Sequence, residues 1–211
     1  MATRARVGMA LGAVIAGCGI GISAAYLFGF VPGGPEPTAV DDRTGGPGGP
    51  FTLTDDSGAT VTDQDYRGRY LLVFFGYTFC PDVCPTTLAD IAAAMDALGD
   101  DAAAVQPLFV SVDPARDTPE KLAAFVDSFD PRIVGLTGTE EQLAAIKDGY
   151  GVLSEIVPNE NDPAYYLVNH TAGIFLMDRE GRFVRVFGYP TTTDQIVGAI
   201  RETMRADAAA S

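Results

Sequence analysis

The sequence predicts an α/β fold in which a mixed sheet is covered by helices on both faces. The first observation is that apolar runs typical of strands alternate with helical segments between residues 70 and 150. Such alternation favours parallel strands joined by crossover helices. The second observation is a hairpin pattern at residues 171–187, followed by a closing helix at 193–205. A hairpin adds antiparallel strands, so the sheet is expected to be mixed.

The first half of the domain contains four predicted elements. Residues 51–61 form a hairpin around a polar turn. Residues 70–75 are nearly all apolar, which is typical of a strand covered on both faces. Residues 86–98 form a helix, and Pro85 precedes it where a first helical turn tolerates proline. Residues 105–112 form a second buried strand.

The second half continues the alternation as far as residue 150. A helix runs from residue 119 to about residue 129, with Thr118 as its N-cap. Residues 133–136 form a short strand, and Thr139 caps a helix over residues 140–150. The stretch from 151 to 170 has little periodicity, which indicates a loop or a lid.

Composition limits the partners of this chain. The 211 residues carry 14 Lys and Arg against 28 Asp and Glu, a formal net charge of −14. A field of this sign repels nucleic acid and anionic lipid headgroups. The charge accounts for solubility, and it would also suit docking on a basic partner surface.

An uncharged run at residues 7–31 is long enough to cross a bilayer, because it spans about 37 Å as a helix. Arg4 and Arg6 precede it, and the positive-inside rule then places residues 1–6 in the cytoplasm. The soluble domain is therefore expected to face the periplasm, tethered to the cytoplasmic membrane by a single pass.

Cys18 offers a rival interpretation, since Ile-Ala-Gly-Cys at residues 15–18 resembles a lipoprotein cleavage site. The uncharged run continues for 13 positions past Cys18, which favours an uncleaved anchor, and a cleaved secretory signal is the third alternative. All three interpretations place the domain on the outer side of a membrane. The predicted organisation is a cytoplasmic N-terminus (1–6), an anchor (7–31), a Gly/Pro-rich linker (32–50), a domain (51–206) and a tail (207–211).

Cys80 and Cys84 lie four residues apart between a buried strand and a helix, where ligands gather at the carboxyl ends of strands. A helix N-terminus favours the thiolate. Three interpretations of the cysteine pair stay open. They are a structural disulfide, a redox pair, and a redox-sensitive metal site, which binds metal when the cysteines are reduced and closes when they are oxidised. The usual redox motif has two intervening residues, whereas this one has three.

His170 is the only histidine, and the spacing alone does not show whether it reaches the cysteines. Two carboxylates are further candidates for the same site. Asp82 lies between the cysteines and either supports a ligand, caps the helix or is solvated. Asp113 ends a buried strand and either accepts a hydrogen bond near the site or forms a turn before Pro114.

Three separated blocks resemble the signatures of the Sco/SenC family. They are FFGYTFCPDVCPTTL at residues 74–88, SVDPARDTP at 111–119 and YLVNHT at 166–171. The blocks occur in the order of the family, and the likeness covers roughly residues 51–205.

The resemblance implies a thioredoxin-like fold and a membrane tether. It also brings Cys80, Cys84 and His170 together as ligands of copper, either Cu(I) or Cu(II). One departure concerns the residue before the histidine, where the family usually has Asp and this chain has Asn169. Asn169 cannot supply a negative charge that orients the imidazole.

The function implied by the resemblance is copper delivery to the binuclear copper centre of cytochrome c oxidase. The expected partners are the copper-bearing subunit of the oxidase and other copper chaperones. This chemistry is metal transfer, so the protein is not expected to be an enzyme. Two alternatives remain: a thiol–disulfide oxidoreductase acting on the cysteines of that subunit, and a copper or redox sensor.

Overall fold

The computed structural model describes residues 46–162 and 165–210, which form nine strands and four α-helices. The predictions for residues 1–45, including the anchor at 7–31 and the role of Cys18, lie outside the described residues. Within the described part of the chain, no helix combines the length and the apolar character that crossing a membrane requires.

The elements follow the predicted alternation. The strands are β1 (Thr52–Asp55), β2 (Thr60–Thr62), β3 (Tyr70–Gly76), β4 (Val105–Ser111), β5 (Val134–Thr137), β6 (Ser154–Val157), β7 (Leu167–His170), β8 (Gly173–Met177) and β9 (Phe183–Gly188). The α-helices are α1 (Val83–Leu98), α2 (Pro119–Asp127), α3 (Glu140–Tyr150) and α4 (Thr193–Ala210). Short 3-10 helices at Asp63–Tyr66 and Gly99–Ala104 were not predicted.

Seven strands form one sheet in the order β2-β1-β5-β4-β3-β8-β9. The central strands β3, β4 and β5 are parallel. Antiparallel strands flank them, because β1 pairs with β5, β8 with β3 and β9 with β8. The sheet is therefore mixed, as predicted.

Helices cover both faces of this sheet. Phe74 and Phe75 are neighbours on β3 and so point to opposite faces. On one face, Phe74 packs on Phe109, whose ring lies 5.6 Å from that of Phe125 in α2. On the other face, the ring of Phe75 lies 5.3 Å from that of Tyr150 in α3. The prediction of a sheet covered on both sides is confirmed.

The helix α1 begins at Val83, three residues earlier than predicted. Pro85 lies inside the first turn, where its missing N–H removes no intrahelical hydrogen bond. The N–H of Thr86 donates to the carbonyl of Asp82 over 3.3 Å, which extends the helical bonding upstream. Cys84 consequently lies in the first turn of α1, whereas Cys80 lies in the loop before it.

Two predicted helix caps are present. The Thr118 hydroxyl accepts from the N–H of Lys121 over 3.4 Å at the start of α2. At α3, the Thr139 hydroxyl accepts from the N–H of Gln142 over 3.2 Å, and the Gln142 side chain accepts from the N–H of Thr139 over 2.9 Å. Both helices therefore begin where the sequence predicted.

The prediction of a loop or lid between residues 151 and 170 was wrong in part. Ser154–Val157 and Leu167–His170 pair as an antiparallel two-stranded sheet, β6–β7, separate from the main sheet. Each strand has four residues, too few for a clear alternation in the sequence. His170 is thus the last residue of β7, and the pairing with Ser154 sets its position.

Candidate metal centre

Cys80 lies in the loop that follows the carboxyl end of β3. The N–H of Cys80 donates to the carbonyl of Tyr77 over 3.2 Å, which turns the chain sharply. The buried carboxylate of Asp117 anchors this loop: it accepts from the N–H and the hydroxyl of Thr78, over 3.1 and 2.7 Å, and from the Ser111 hydroxyl over 2.7 Å. Because Ser111 ends β4, Asp117 ties the loop of Cys80 to the neighbouring strand.

Cys84 is fully buried in the first turn of α1. Its backbone N–H donates to Cys80 Sγ over 3.5 Å, so the helix N-terminus faces the first sulfur. The second sulfur lies over the end of β3, where a Cβ added at Gly76 would stand 2.9 Å from Cys84 Sγ. The absence of a side chain at Gly76 therefore leaves space for this thiol.

His170 reaches the thiols from β7. Its Nε2 lies 3.7 Å from Cys84 Sγ, and its Nδ1 lies 3.1 Å from the carbonyl oxygen of Thr171. A carbonyl can only accept, so this bond places a proton on Nδ1, and Nε2 is the ring nitrogen that faces the sulfurs. The rings of Phe74 and Tyr77 stand edge-on to the imidazole at 6.4 and 6.0 Å.

The three side chains converge on one point. One ligand atom from each of Cys80, Cys84 and His170 lies within 4.8 Å of the other two. Two soft sulfurs and one imidazole are a donor set that suits Cu(I). The geometry and the donor chemistry therefore fit a copper ion, and both cysteines are free thiols in this structure.

The two thiols differ in their affinity for protons. A hydrogen bond from the thiol of Cys84, supported by the His170 side chain and by the backbone N–H groups of Asp82 and Cys84, lowers the pKa of Cys80 to about 3. Donating that bond raises the pKa of Cys84, and burial raises it further. At neutral pH the pair therefore consists of a Cys80 thiolate and a Cys84 thiol.

The two carboxylate candidates lie in different surroundings. Asp82 is exposed, and its side chain makes no capping hydrogen bond at the start of α1. Asp113 is buried, and its carboxylate accepts from Arg116 Nε and, over 2.7 Å, from the Tyr166 hydroxyl. Asp113 thus acts on the strand that carries His170 rather than on a ligand atom.

Arg116, Asp117 and Tyr166 are residues that the sequence analysis did not assign to the site. Arg116 donates to the backbone carbonyl of Tyr166 over 2.9 Å, and its guanidinium lies 3.6 Å from the centre of the Tyr166 ring. Together with Asp113 these contacts form a clasp between the end of β4 and the start of β7. The sequence did contain a signal for these residues, because all three lie in the blocks 111–119 and 166–171 that resemble the family.

Asn169 stands outside the site. Neighbouring residues of a strand point to opposite faces, and Asn169 pairs with the exposed Glu155. The imidazole of His170 is oriented instead by the Thr171 carbonyl. Replacing the family's Asp at position 169 therefore leaves the imidazole with a hydrogen-bond acceptor at Nδ1.

The fold and the site define a thioredoxin-like α/β protein with a centre of two thiols and one imidazole. The SCO1/SenC family matches residues 41–205, and the chain belongs to this family. It is 41% identical over 161 residues to protein sco1 of Schizosaccharomyces pombe, covering 72% of this chain and 59% of that protein. It is 42% identical over 153 residues to SenC of Rhodobacter capsulatus, covering 72% and 68%.

Solved structures also place this chain among the Sco proteins. The structure of Bradyrhizobium japonicum ScoI with copper bound has a TM-score of 0.68 and 44% identity, covering 74% of this chain and 98% of that chain. Yeast Sco1 with copper bound has a TM-score of 0.69 and 34% identity, covering 76% of this chain and 89% of that chain.

The human SCO1 homologue is 39% identical over 160 residues, and the alignment spans 53% of its length. The chain thus matches little more than half the length of the human and S. pombe proteins.

Proposed function

We propose that this protein is a copper metallochaperone that delivers copper to the binuclear copper centre of cytochrome c oxidase. The observation that carries the proposal is the convergence of Cys80, Cys84 and His170, whose ligand atoms lie within 4.8 Å of one another. The copper-bound relatives from B. japonicum and yeast support copper as the metal. The family resemblance supports the oxidase as recipient, with other copper chaperones as donors.

The residues suggest how copper is taken up and released. Cys80 offers a partly exposed thiolate, while the buried Cys84 must release a proton to become the second sulfur ligand. The neutral imidazole of His170 supplies the third donor. A site with three protein ligands leaves room for a thiol of the recipient, so copper can pass by ligand exchange without a redox step. The protein therefore acts as a carrier without catalytic turnover.

The proposal includes a location. The uncharged run at residues 7–31 would hold the protein in the cytoplasmic membrane, and the 19-residue linker at 32–50 would let the domain reach a membrane-embedded oxidase. The domain would then face the periplasm, where the copper-bearing subunit would meet it.

A Cu(I) titration of the reduced full chain against a competing chelator tests the proposal. We expect about one Cu(I) per chain, and we expect His170→Ala and Cys80→Ser to weaken binding at least about tenfold because each removes a donor. Asn169→Ala is the matched control, since its side chain lies on the opposite face of β7. Retained stoichiometric binding after Cys80→Ser would count against this site.

A thiol–disulfide oxidoreductase acting on the oxidase's cysteines is the second candidate. The observation in its favour is the thiolate of Cys80 beside the protonated thiol of Cys84, since a thiolate is the nucleophile in disulfide exchange. The same variants separate the two functions. If His170→Ala leaves Cu(I) affinity unchanged while disulfide exchange with the oxidase subunit persists, the oxidoreductase interpretation replaces the chaperone.

A further inference from the structure

The guanidinium of Arg116 lies in a cage of three aromatic rings. Its central carbon lies 3.6 Å from the centre of the Tyr166 ring, 4.9 Å from that of Phe79 and 5.7 Å from that of Tyr77. Tyr77 and Phe79 belong to the loop that carries Cys80. Tyr166 immediately precedes β7, the strand that ends at the histidine. One side chain from the end of β4 therefore contacts both segments that carry the candidate ligands.

Two hydrogen bonds fix the plane of this guanidinium. Its Nε donates to the buried carboxylate of Asp113, and its Nη1 donates to the carbonyl oxygen of Tyr166 over 2.9 Å. A guanidinium is flat and holds its donors in a rigid fork, so it can make both bonds while its faces stack on rings. A lysine ammonium has no flat face and no fixed fork, so it cannot replace all of these contacts at once.

The remaining nitrogen of Arg116, Nη2, is buried and has no hydrogen-bond partner among the described residues. A buried donor without an acceptor costs free energy. Aromatic faces attract a guanidinium, so the rings rather than an acceptor hold this end of the side chain. The place of the guanidinium is thus linked to the place of the loop that presents Tyr77 and Phe79.

Tyr77 extends this contact to a ligand. Its ring stands edge-on to the imidazole of His170, with the ring centres 6.0 Å apart, and the guanidinium of Arg116 lies near the same ring. Tyr77 is buried, and close packing prevents its ring from moving independently of these neighbours. A shift of the guanidinium would therefore be felt at the imidazole.

We propose that Arg116 is a positioning residue that couples the loop of Cys80 to the strand of His170, so that thiolate and imidazole are held ready for the same ion. The inference rests on the proposed function, because copper is the ion that draws on both ligands. Arg116 acts through Tyr77 and Tyr166, since its own hydrogen bonds go to Asp113 and to a backbone carbonyl. Ligands held in place before the ion arrives bind it more tightly, because less order must be created on binding.

A double-mutant cycle on Cu(I) binding by the full chain in mild detergent tests the coupling. Arg116→Lys keeps the charge and removes the planar fork, and it is combined with His170→Ala. The measured quantity is the factor by which His170→Ala raises the Kd for Cu(I) in each background. A residue that only stabilises the fold would leave this factor unchanged.

Arg132→Lys is the matched control. Arg132 also donates to a buried carboxylate, that of Asp130, and to a backbone carbonyl, that of Met95. Met95 lies 11 residues after Cys84 on α1, which is about 16 Å along the helix axis. The control therefore removes a comparable set of bonds at the other end of α1.

We expect Arg116→Lys alone to raise the Kd for Cu(I) about fivefold. In that background His170→Ala should raise the Kd by less than about threefold, against at least about tenfold in wild type, because the imidazole is no longer held at the site. With Arg132→Lys the factor should equal that of wild type. Equal factors in the Arg116→Lys and wild-type backgrounds would overturn the proposal.

Phe79→Leu serves as a second variant, which keeps the proposal falsifiable if Arg116→Lys does not fold. It removes one ring of the cage at a position that is 45% exposed, and Tyr189→Leu is its control because Tyr189 is also 45% exposed. The factor for His170→Ala should fall about twofold or more with Phe79→Leu and stay at the wild-type value with Tyr189→Leu. Should Arg116→Lys not fold, an unchanged factor in Phe79→Leu overturns the coupling.

The NMR signals of the imidazole give a readout that does not depend on copper, because His170 is the only histidine and can be labelled selectively. In the copper-free chain, Arg116→Lys should shift or broaden these signals, whereas Arg132→Lys should leave them at their wild-type positions. Signals that Arg116→Lys leaves unchanged would overturn the proposal. If wild type binds no Cu(I), or binds it equally well after His170→Ala, the proposed function fails, and the imidazole signals alone decide the role of Arg116.

Discussion

The hydroxyl of Tyr166 donates a hydrogen bond to the buried carboxylate of Asp113 over 2.7 Å, and this bond joins the strand of His170 to the end of β4. The loop of Cys80 is tied to the same end of β4 through Asp117 and Ser111. The imidazole and the thiols are thus positioned from a common support, although neither Asp113 nor Asp117 touches the candidate ligand atoms.

Tyr166→Phe should loosen His170 without removing a ligand. Loss of the bond leaves Asp113 with one partner fewer, which should lower the free energy of unfolding by about 1–3 kcal/mol. We expect the Kd for Cu(I) to rise by about fivefold at unchanged stoichiometry. Because His170 is the only histidine, its ring signals in NMR report its position directly. Tyr165→Phe is the control, and an equal effect of both changes would contradict a specific role for Tyr166.

Gly76→Ala should disturb the metal centre, because Gly76 ends β3 next to Cys84. The new Cβ would stand 2.6 Å from a ring carbon of Phe109 and 2.9 Å from Cys84 Sγ, so buried groups must move. We expect a loss of about 1–3 kcal/mol in the free energy of unfolding, with weaker Cu(I) binding. Gly198→Ala in α4 meets no atom within 4 Å and should stabilise the protein by up to about 1 kcal/mol. Chemical denaturation of both variants measures the contrast.

Iodoacetamide should modify Cys80 well before Cys84. Cys84 is fully buried, whereas Cys80 is partly exposed, and its pKa of about 3 keeps it a thiolate at ordinary pH. The rate at Cys80 should therefore change little between about pH 5 and 8, where an ordinary thiol gains about tenfold per pH unit. Peptide mapping by mass spectrometry separates Cys80 from Cys84 and Cys18.

Cys84→Ala provides the comparison for this experiment. It removes the thiol whose hydrogen bond is the largest cause of the lowered pKa of Cys80, so that pKa should rise and the rate at Cys80 should become dependent on pH. A wild-type rate that climbs about tenfold per pH unit would show that Cys80 is an ordinary thiol.

The ion pair of Asp130 with Arg132 should make stability depend on pH. Hydrogen bonds from Arg132 lower the pKa of Asp130, which is buried, below its ordinary value of 3.8. A carboxylate whose pKa is lowered in the folded state stabilises the protein at pH values above 3.8. This stabilisation disappears as the pH falls through the pKa that the carboxylate has in the folded state. Asp130→Asn should thus destabilise the protein more at pH 7 than near pH 3. Urea denaturation at both values measures this, with exposed Asp127→Asn as the control, and a difference that is independent of pH would contradict it.

A chain that lacks residues 1–31 should fold and keep the site. Within the described part of the chain, the buried apolar residues run from Phe51 to Ile200 and pack as one cluster. We expect a soluble protein with cooperative thermal unfolding and about one Cu(I) per chain. Circular dichroism and the copper titration measure this outcome. An insoluble or metal-free product would mean that the N-terminal segment belongs to the fold.

The central elements were predictable because burial leaves a local signature. Both β3 and β4 are buried along all seven residues; the sequence shows β3 as a continuous apolar run and β4 through a shorter apolar run at residues 107–110. The start of α1 was less predictable, since Pro85 marks a first turn without saying where that turn begins. The sheet β6–β7 escaped prediction because each short strand depends on a partner far along the chain.

The sequence by itself determined the chemistry available to this protein: two thiols at a helix entrance, one histidine, and an acidic surface. Those properties belong to residue types and short spacings, which local rules describe. Only the tertiary structure decided that His170 lies beside Cys84, 86 positions away in the chain. Only it decided that Asp113 and Arg116 bind Tyr166 and so fix the strand that carries His170. Contacts over such separations depend on the path of the whole chain, because packing of β7 on the domain sets the final distance between nitrogen and sulfur.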